Sequence, residues 1–142
     1  MASKAVFLDT NGWFALLSDD DRLNLIATQC WSDLGKLRKT VLLTDWIIAE
    51  TGNGLARTPA RQRFVEATLE MLNDSRVRVV PVTATLMERA LLLYSERPDK
   101  DWGLVDCASF IIMKDEGITE AFTTDHHFEQ AGFICLLPAA AA

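Results

Sequence analysis

The sequence contains little cysteine, and it lacks any long apolar run. The three cysteines, Cys30, Cys107 and Cys135, are odd in number and show no C-x-x-C spacing. They therefore predict buried thiols in a reducing cytosol, not a disulfide framework or a zinc site. No apolar stretch approaches the roughly 18 residues that cross a bilayer, and the N-terminus shows no secretory cleavage site. We expect a cytoplasmic protein that does not enter a membrane.

Basic residues are also in short supply. The chain has 14 Lys and Arg against 20 Asp and Glu, which gives a formal net charge of −6. This balance argues against a protein that holds nucleic acid by bulk electrostatics alone. A nucleic-acid enzyme is still compatible with it, because a metal site built from carboxylates makes the charge more negative. No Walker loop, G-x-G-x-x-G motif or Ser/His/Asp arrangement is visible, so the acids are the remaining chemical signal.

Predicted strands and helices alternate along the 142 residues, of which 49% are apolar. The predicted strands are 5–8, 41–43, 76–82, 121–124 and 133–137. The predicted helices are 11–17, 23–34 behind an aspartate cap at 19–21, 46–56, 58–73 starting at Thr58-Pro59, 83–96, 103–116 and 126–131. This order predicts an α/β fold with a mostly parallel sheet and helices on both faces. We expect one domain over 1–138, with the alanines of 139–142 as an added tail.

Four acids fall at positions that such a fold brings together. Asp9 ends the first predicted strand and Asp125 ends the fourth, so both point to the same edge of the sheet. Glu50 and Asp106 lie in helices among apolar neighbours, where an acid is costly unless it is paired or binds a metal. Four carboxylates without matching His or Cys ligands favour Mg²⁺ or Mn²⁺ over zinc. Such an ion orients a water molecule and lowers its pKa for phosphoryl chemistry.

Nearly the whole chain resembles the PIN-domain family, in particular the toxin ribonucleases of VapBC toxin–antitoxin pairs. The resemblance lies in FLDTN at 7–11, IIAET at 47–51, DKDWGLVDCASF at 99–110 and AFTTDHHFEQAGF at 121–133. It implies a three-layer α/β/α domain with a five-strand, mostly parallel sheet. Carried over residue by residue, the metal-binding acids are Asp9, Glu50, Asp106 and Asp125, and the hydrogen-bonding residues that flank them are Thr10, Asn11 and Thr124. Gly103 departs from the pattern, since many relatives carry Ser or Thr there; this weakens a helix cap without removing a ligand.

The resemblance also implies a function, partners and a mechanism. The chain is expected to be a metal-dependent endoribonuclease toxin that cuts structured RNA, tRNA or ribosomal RNA, and leaves a 3′-hydroxyl and a 5′-phosphate. Either Glu50 or Asp9 would serve as the base. The expected partners are a second copy of the chain and an antitoxin whose C-terminal segment lies in a groove and brings a basic residue to the acids.

Two alternatives compete with the ribonuclease hypothesis. A haloacid-dehalogenase-like phosphatase also begins with an Asp after its first strand. It needs a second Asp two positions later, where this sequence has Asn11, and this counts strongly against it. The other alternative is an inactive binding module of the same fold, which the complete set of acids opposes.

Asp101 and the adjacent pair His126 and His127 are each compatible with more than one role. Asp101 lies five residues before Asp106, where it could cap the helix, bind metal through water or face solvent. His126 and His127 resemble a metal pair, but adjacent helix positions point about 100° apart and rarely share one ion. We expect His126 at the rim near substrate and His127 packed inside.

The basic and aromatic residues offer few candidates for RNA contact. Arg57, Arg61 and Arg63 form the one basic cluster, and a solvated face is its default interpretation. Arg57 lies seven residues after Glu50, on the same helix face if that helix extends far enough to contact phosphate. Trp102 is the best candidate for stacking on a base, although tryptophans more often belong to a core.

Overall fold

Strands and helices alternate through residues 4–139, the part of the chain that the computed structural model describes. Of the predicted alanine tail, residues 140–142 lie outside this range. The strands are β1 (Ala5–Leu8), β2 (Thr40–Thr44), β3 (Val77–Val80), β4 (Glu120–Phe122) and β5 (Ile134–Cys135). The helices are α1 (Thr10–Leu16), α2 (Asp21–Lys36), α3 (Asp45–Leu55), α4 (Arg61–Leu72), α5 (Ala84–Glu96), α6 (Leu104–Glu116) and α7 (His127–Gln130).

The five strands form one sheet in which every pairing is parallel, in the order β3-β2-β1-β4-β5. Strand β1 is central, and its Phe7 pairs with Leu42 on one side and Ala121 on the other. Nearly every residue of β1 and β2 is buried, as expected for parallel strands that are covered on both faces. The predicted α/β class and five-strand parallel sheet are confirmed.

The helices divide between the two faces of the sheet. The chain steps from β1 to β2 to β3 in one direction and then crosses to β4 and β5. Because parallel crossovers are right-handed, α1 to α4 cover one face and α5 to α7 cover the other. Aromatic pairs fill both layers: Trp31 meets Phe122 edge-on at 5.3 Å, and Phe110 meets Phe128 at 4.9 Å.

Short polar residues start several helices where the sequence predicts them. The side chain of Asp20 accepts a hydrogen bond from Leu23 N–H (2.9 Å), and Thr44 Oγ1 accepts one from Ile47 N–H (3.1 Å). Each bond satisfies one of the free N–H groups at a helix start. Helix α6 ends at Gly117, which has the left-handed conformation (φ 69°) that glycine adopts without steric cost.

The predicted start of α4 at Thr58-Pro59 is wrong, because α4 begins at Arg61. Proline disfavours the helical conformation at the residue before it, so Thr58 is not part of a helix. Its hydroxyl instead donates to Leu55 O (2.9 Å) and accepts from Ala60 N–H (3.2 Å) within a turn.

Three strands are shorter than predicted. Strand β3 ends at Val80, because Pro81 has no N–H to offer the ladder. Strand β4 ends at Phe122, two residues earlier than expected, and β5 is reduced to two residues at the sheet edge.

All three cysteines are free thiols; Cys107 is buried, and Cys30 and Cys135 are half-buried. Burial raises the pKa of the Cys107 and Cys135 thiols to about 11. They stay protonated at neutral pH, which agrees with inert interior thiols. None of the helices within residues 4–139 combines the length and the apolar character that crossing a bilayer requires.

Candidate active site

The predicted acids lie at the point where the strand order reverses. In the order β3-β2-β1-β4-β5, the chain moves outward from β1 on one side and later fills the other side from β4. Ligands of open parallel sheets bind outside the carboxyl ends of the strands at such a point. Asp9 directly follows β1, and Asp125 follows the neighbouring β4 by three residues.

Asp9 is buried, with 2% of its surface exposed. Its Oδ2 accepts hydrogen bonds from Thr123 Oγ1 (2.7 Å) and from Asn11 N–H (3.4 Å) at the start of α1. The Asp9 pKa is raised to about 7, mainly because the carboxyl is buried; the nearby charges of Asp106 and Asp125 contribute to this rise, and the bonds from Thr123 and the Thr10 backbone oppose it. No Lys or Arg within residues 4–139 forms an ion pair with it. Among the described residues, the carboxyl therefore has no compensating cation.

Asp106 is anchored at the start of α6. Its Oδ2 accepts a 3.0 Å hydrogen bond from Gly103 N–H, the residue that caps the helix. Gly103 has no side chain to return that bond, so half of a capping box is missing, as its departure from the family pattern predicts. Burial raises the Asp106 pKa, and the charges of Asp125 and Glu50 add to the rise.

Glu50 is exposed on α3, and the expectation that its apolar neighbours keep it from water is wrong. Ile47 and Thr51, one turn apart, are the buried residues of this helix, and Glu50 lies at the edge of that stripe, where it is exposed to solvent. Its charge still reaches the site, because it raises the pKa of Asp106. Glu50 therefore lies at the solvent rim of the acidic site.

Asp125 also organises its own loop. Its Oδ1 accepts the N–H of His127 (3.0 Å) at the start of α7, and its backbone N–H donates to Thr123 Oγ1 (3.0 Å). The thiol of Cys135 donates to its carbonyl oxygen (3.3 Å). Asp125 thus combines a helix-starting role with a place in the acidic site.

The carboxylate chemistry of the four acids suits a hard divalent cation, and in the described structure the acids are linked through their charges, not through a group of ligand atoms within 4.8 Å of one another. The charges of Asp106 and Asp125 raise the pKa of Asp9, and those of Asp125 and Glu50 raise the pKa of Asp106. Carboxylate oxygens are the ligands that Mg²⁺ and Mn²⁺ prefer. A cation among them would relieve the mutual repulsion and the cost of ionising Asp9.

The hydrogen-bonding residues around the acids differ from the prediction. Thr124, the predicted residue, forms no described hydrogen bond. The buried Thr123 makes the contacts that we expected of Thr124. Side chains alternate between faces along a strand, so Thr123 and Thr124 point in opposite directions, and Thr123 is the one that contacts Asp9. The alternation of side chains along β4 could have identified Thr123 from the sequence. That inference needs the residue at which β4 ends, and the sequence placed this end two residues too late.

Thr10 and Asn11 contribute less than predicted through their side chains, and of the three roles left open for Asp101 the exposed position agrees with the solvent-facing one. Thr10 Oγ1 accepts a 3.3 Å bond from Thr51 Oγ1, and none of the described hydrogen bonds joins the Thr10 hydroxyl to an acid. Asn11 serves Asp9 through its backbone N–H. Asp101 lies off the helix, as expected, in an exposed loop, and none of the described hydrogen bonds involves its carboxylate.

The condition under which Arg57 would share a helix face with Glu50 is not met, because α3 ends at Leu55. Thr58-Pro59 prevents its extension, and Arg61 Nη1 donates to the free carbonyl of Ala56 (3.1 Å). Arg63 is paired with Asp19 (3.3 Å). Arg57 is exposed beyond the helix end and has no hydrogen bond or ion pair among the described residues.

The side chains of His126 and His127 converge, so their expected divergence is wrong. His126 precedes the first helical residue, and the two ring centroids lie 4.5 Å apart. As expected, His126 is exposed (66%) and His127 is largely covered (22%).

Trp102 is not available for stacking on a base. It is 7% exposed, and its Nε1–H donates to Gln130 Oε1 (3.1 Å). One neighbour, Phe110, meets its ring edge-on at 5.0 Å, and the Arg97 guanidinium lies 5.1 Å from the ring centre. Trp102 therefore belongs to the core.

Comparison with known proteins agrees with this geometry. The family model described as PIN domain matches residues 6–134. The 23S rRNA-specific endonuclease VapC20 of Mycobacterium tuberculosis, from strains CDC 1551 / Oshkosh and ATCC 25618 / H37Rv, is 30% identical over 133 residues, which cover 94% of this chain and 98% of that protein.

Two solved structures share the fold. The crystal structure of M. tuberculosis VapC20, described as a Sarcin-Ricin loop cleaving toxin, matches with a TM-score of 0.80 and 30% identity, covering 92% of this chain and 97% of that one. The FitAcB structure from Neisseria gonorrhoeae matches with a TM-score of 0.64 and 19% identity, covering 92% and 95%.

Proposed function

The chain belongs to the PIN-domain family, and on that premise we propose that it is the endoribonuclease toxin of a toxin–antitoxin pair, dependent on a divalent metal ion. The observation that carries the proposal is the set of four acids at the β1–β4 switch point, with Asp9 buried and without a basic partner among the described residues. An acid set kept only for stability would be unfavourable there, because its charges repel.

We infer that the substrate is structured RNA, and ribosomal RNA is the first to test. VapC20, whose whole length this chain matches, is a 23S rRNA-specific endonuclease. The exposed guanidinium of Arg57 supplies a positive charge without a described partner, which a protein of net charge −6 needs near a phosphate backbone. His126 lies exposed at the rim beside Asp125 and is the second candidate for contact with RNA.

Asp9, Glu50, Asp106 and Asp125 would hold Mg²⁺ or Mn²⁺. When bound, such an ion supplies a water molecule of lowered pKa and neutralises charge that develops on the phosphate oxygens. The remaining residues keep the acids in place: Thr123 joins Asp9 to the Asp125 loop, and Gly103 N–H holds the Asp106 carboxylate. The base is Asp9, whose pKa is raised to about 7, or Glu50, which faces solvent.

We further propose a cognate antitoxin, a homodimer and a cytoplasmic location, all of which follow from the family. Large exposed apolar side chains on three helices support protein partners. Leu25 is exposed on α2, Leu69 and Leu72 are exposed on α4, and Leu92 and Tyr94 are exposed on α5.

The proposal is tested by mapping RNA ends after incubation with purified protein, ribosomal RNA or tRNA, and Mg²⁺, Mn²⁺ or EDTA. We expect 3′-hydroxyl and 5′-phosphate ends that EDTA suppresses. Asp9→Asn, Glu50→Gln and Asp106→Asn should each lower cleavage by roughly a hundredfold or more, because each removes several kcal/mol of charge stabilisation.

Two further acids give graded controls for this experiment. Asp99→Asn changes an exposed acid that is bound to Arg97 (3.0 Å), so cleavage should persist. Asp101→Asn should lose less activity than Asp106→Asn. Wild-type turnover by any of the three site variants would contradict the proposed site.

An inactive binding module is the remaining alternative, and a Mn²⁺ titration separates it from a nuclease. A nuclease must bind the ion, and an inactive module need not. Membership of the PIN-domain family leaves the phosphatase alternative without support.

A further inference from the structure

Beside the four acids, three consecutive residues bring together ligand atoms of mixed chemistry. One ligand atom from each of Asp125, His126 and His127 lies within 4.8 Å of the other two. Asp125 Oδ1 is 3.0 Å from His127 Nδ1 and 3.8 Å from His126 Nδ1. A single carboxylate oxygen therefore faces two imidazole nitrogens.

These distances fit a small transition-metal ion. Bonds of about 2.0–2.2 Å in a tetrahedral zinc site separate neighbouring ligand atoms by roughly 3.4 Å. The two nitrogen–oxygen distances lie on either side of that value. Two imidazoles and one carboxylate suit Zn²⁺ and its neighbours, whereas Mg²⁺ and Mn²⁺ prefer oxygen alone.

The Nδ1 atom of His127 gives an independent reason to expect a ligand. It is buried, and among the described residues it is a side-chain nitrogen without a hydrogen bond. Its 3.0 Å approach to Asp125 Oδ1 meets the distance of a hydrogen bond but not its direction, and that oxygen already accepts the His127 backbone N–H. Buried polar atoms rarely stay unsatisfied, and a metal bond would satisfy this one.

The local fold builds this arrangement and leaves it accessible. His126 lies at the turn into α7 (φ −61°, ψ −16°), so its ring stays beside the His127 ring at an angle of 38°. Asp125 and His127 are mostly covered, at 14% and 22% exposure, while His126 is 66% exposed. An ion can enter from the side of His126 and leave one coordination position to water.

We propose that Asp125, His126 and His127 bind a divalent transition ion of the Zn²⁺ type, at a site that shares only Asp125 with the four-acid centre. A second consequence rests on the proposed function. An ion held by the histidines takes the Asp125 carboxylate away from the other three acids, so Zn²⁺ inhibits RNA cleavage.

Binding is measured by calorimetric titration of Zn²⁺ into metal-free protein without a polyhistidine tag, in excess Mg²⁺. The chain has two histidines, so the imidazole NMR signals report on this site alone. We expect one Zn²⁺ per chain, shifts of both ring systems, and at least tenfold weaker binding in His126→Ala and His127→Gln. Asp9→Asn disables the hard-ion centre and should keep Zn²⁺ affinity within threefold.

The thiol of Cys135, which contacts the Asp125 carbonyl, is the matched control. Cys135→Ser should bind Zn²⁺ like wild type. The site is refuted if wild type binds no Zn²⁺, or if both histidine variants retain wild-type affinity. His126 is exposed, so His126→Ala keeps this test valid even if His127→Gln disturbs the fold.

Inhibition is scored as the ratio of cleavage with and without Zn²⁺, each variant against itself. We expect at least a tenfold loss in wild type and a ratio near one for His127→Gln. Zn²⁺ bound without any loss of cleavage would overturn the inhibitory role. A protein that binds Zn²⁺ but never cleaves RNA would instead overturn the proposed function.

Discussion

The Thr123 hydroxyl joins two acids of the site, donating to Asp9 Oδ2 (2.7 Å) and accepting from Asp125 N–H (3.0 Å). Thr123 and Asp9 are 114 positions apart in the sequence and lie at the ends of neighbouring strands. One buried side chain thus sets the position of Asp9 relative to the Asp125 loop. Residues that orient ligands in this way affect activity without binding the metal or substrate.

Thr123→Val keeps the shape of the side chain and removes both hydrogen bonds. We expect stability to fall by about 1–3 kcal/mol, because Asp9 and Asp125 N–H lose a buried partner. Cleavage should fall roughly tenfold or more. Urea unfolding and cleavage rates check this, with Thr124→Val as the control, and equal effects of both variants would contradict the special role of Thr123.

The stability of the metal-free protein should decrease as pH rises. The pKa of Asp9 is raised from 3.8 to about 7 by burial, so the folded state holds a proton that the unfolded state releases. The stabilisation is complete below pH about 4 and is lost by pH about 7, amounting to about 4 kcal/mol. The raised pKa of Asp106 acts in the same direction.

Urea unfolding in EDTA at pH 5 and pH 8 measures this decrease. Asp9→Asn cannot ionise and should show a much smaller difference between the two pH values. A difference in Asp9→Asn as large as that in wild type would show that Asp9 is not desolvated.

Mn²⁺ or Mg²⁺ should raise the melting temperature, and EDTA should reverse the rise. At a hundred times its dissociation constant, an ion that binds only the folded state adds about 2.7 kcal/mol. Asp9→Asn should abolish this rise and should itself stabilise the metal-free protein at pH 8. A metal-free variant that melts lower and keeps the rise would defeat the metal-site assignment.

Gly12→Ala should destabilise the fold. A Cβ atom at Gly12 would lie 2.6 Å from Phe122 Cδ1 and would also overlap the Phe122 carbonyl group, since α1 packs against the end of β4. Backbone must move, which typically costs about 1–3 kcal/mol. Gly35→Ala in α2 meets only the end of Arg76 at 3.7 Å and should be neutral or stabilising. Thermal melts of the two variants provide the comparison.

Arg57→Ala should weaken RNA binding and reduce its salt dependence by roughly one counterion unit. Arg57 is exposed without a described partner, whereas Arg63 is bound to Asp19 (3.3 Å). Arg63→Ala should therefore have the smaller effect. Binding titrations at several salt concentrations measure both salt dependences, with Asp9→Asn present in each protein to prevent cleavage. An unchanged salt dependence in Arg57→Ala would show that Arg57 is an ordinary solvated residue without RNA contact.

The sequence by itself determined the order of strands and helices and the positions of the four acids along the chain. These features depend on signals within about four residues, such as the Thr44 cap, the proline after Thr58 and the apolar run before Asp9. The family resemblance pointed to the same four acids. The parallel sheet followed from the alternation of elements, because only a crossover connection joins such strands.

Only the tertiary structure decided which neighbours of those acids serve the site. Thr123 has the role that the sequence assigned to Thr124, because the residue at which β4 ends depends on the pairing of β4 with β1. The burial of Trp102 and the exposure of Glu50 depend on how helices pack, and the approach of the two histidine rings depends on the turn into α7. Such contacts join residues distant in sequence or depend on exact chain direction, and local pattern does not encode either one.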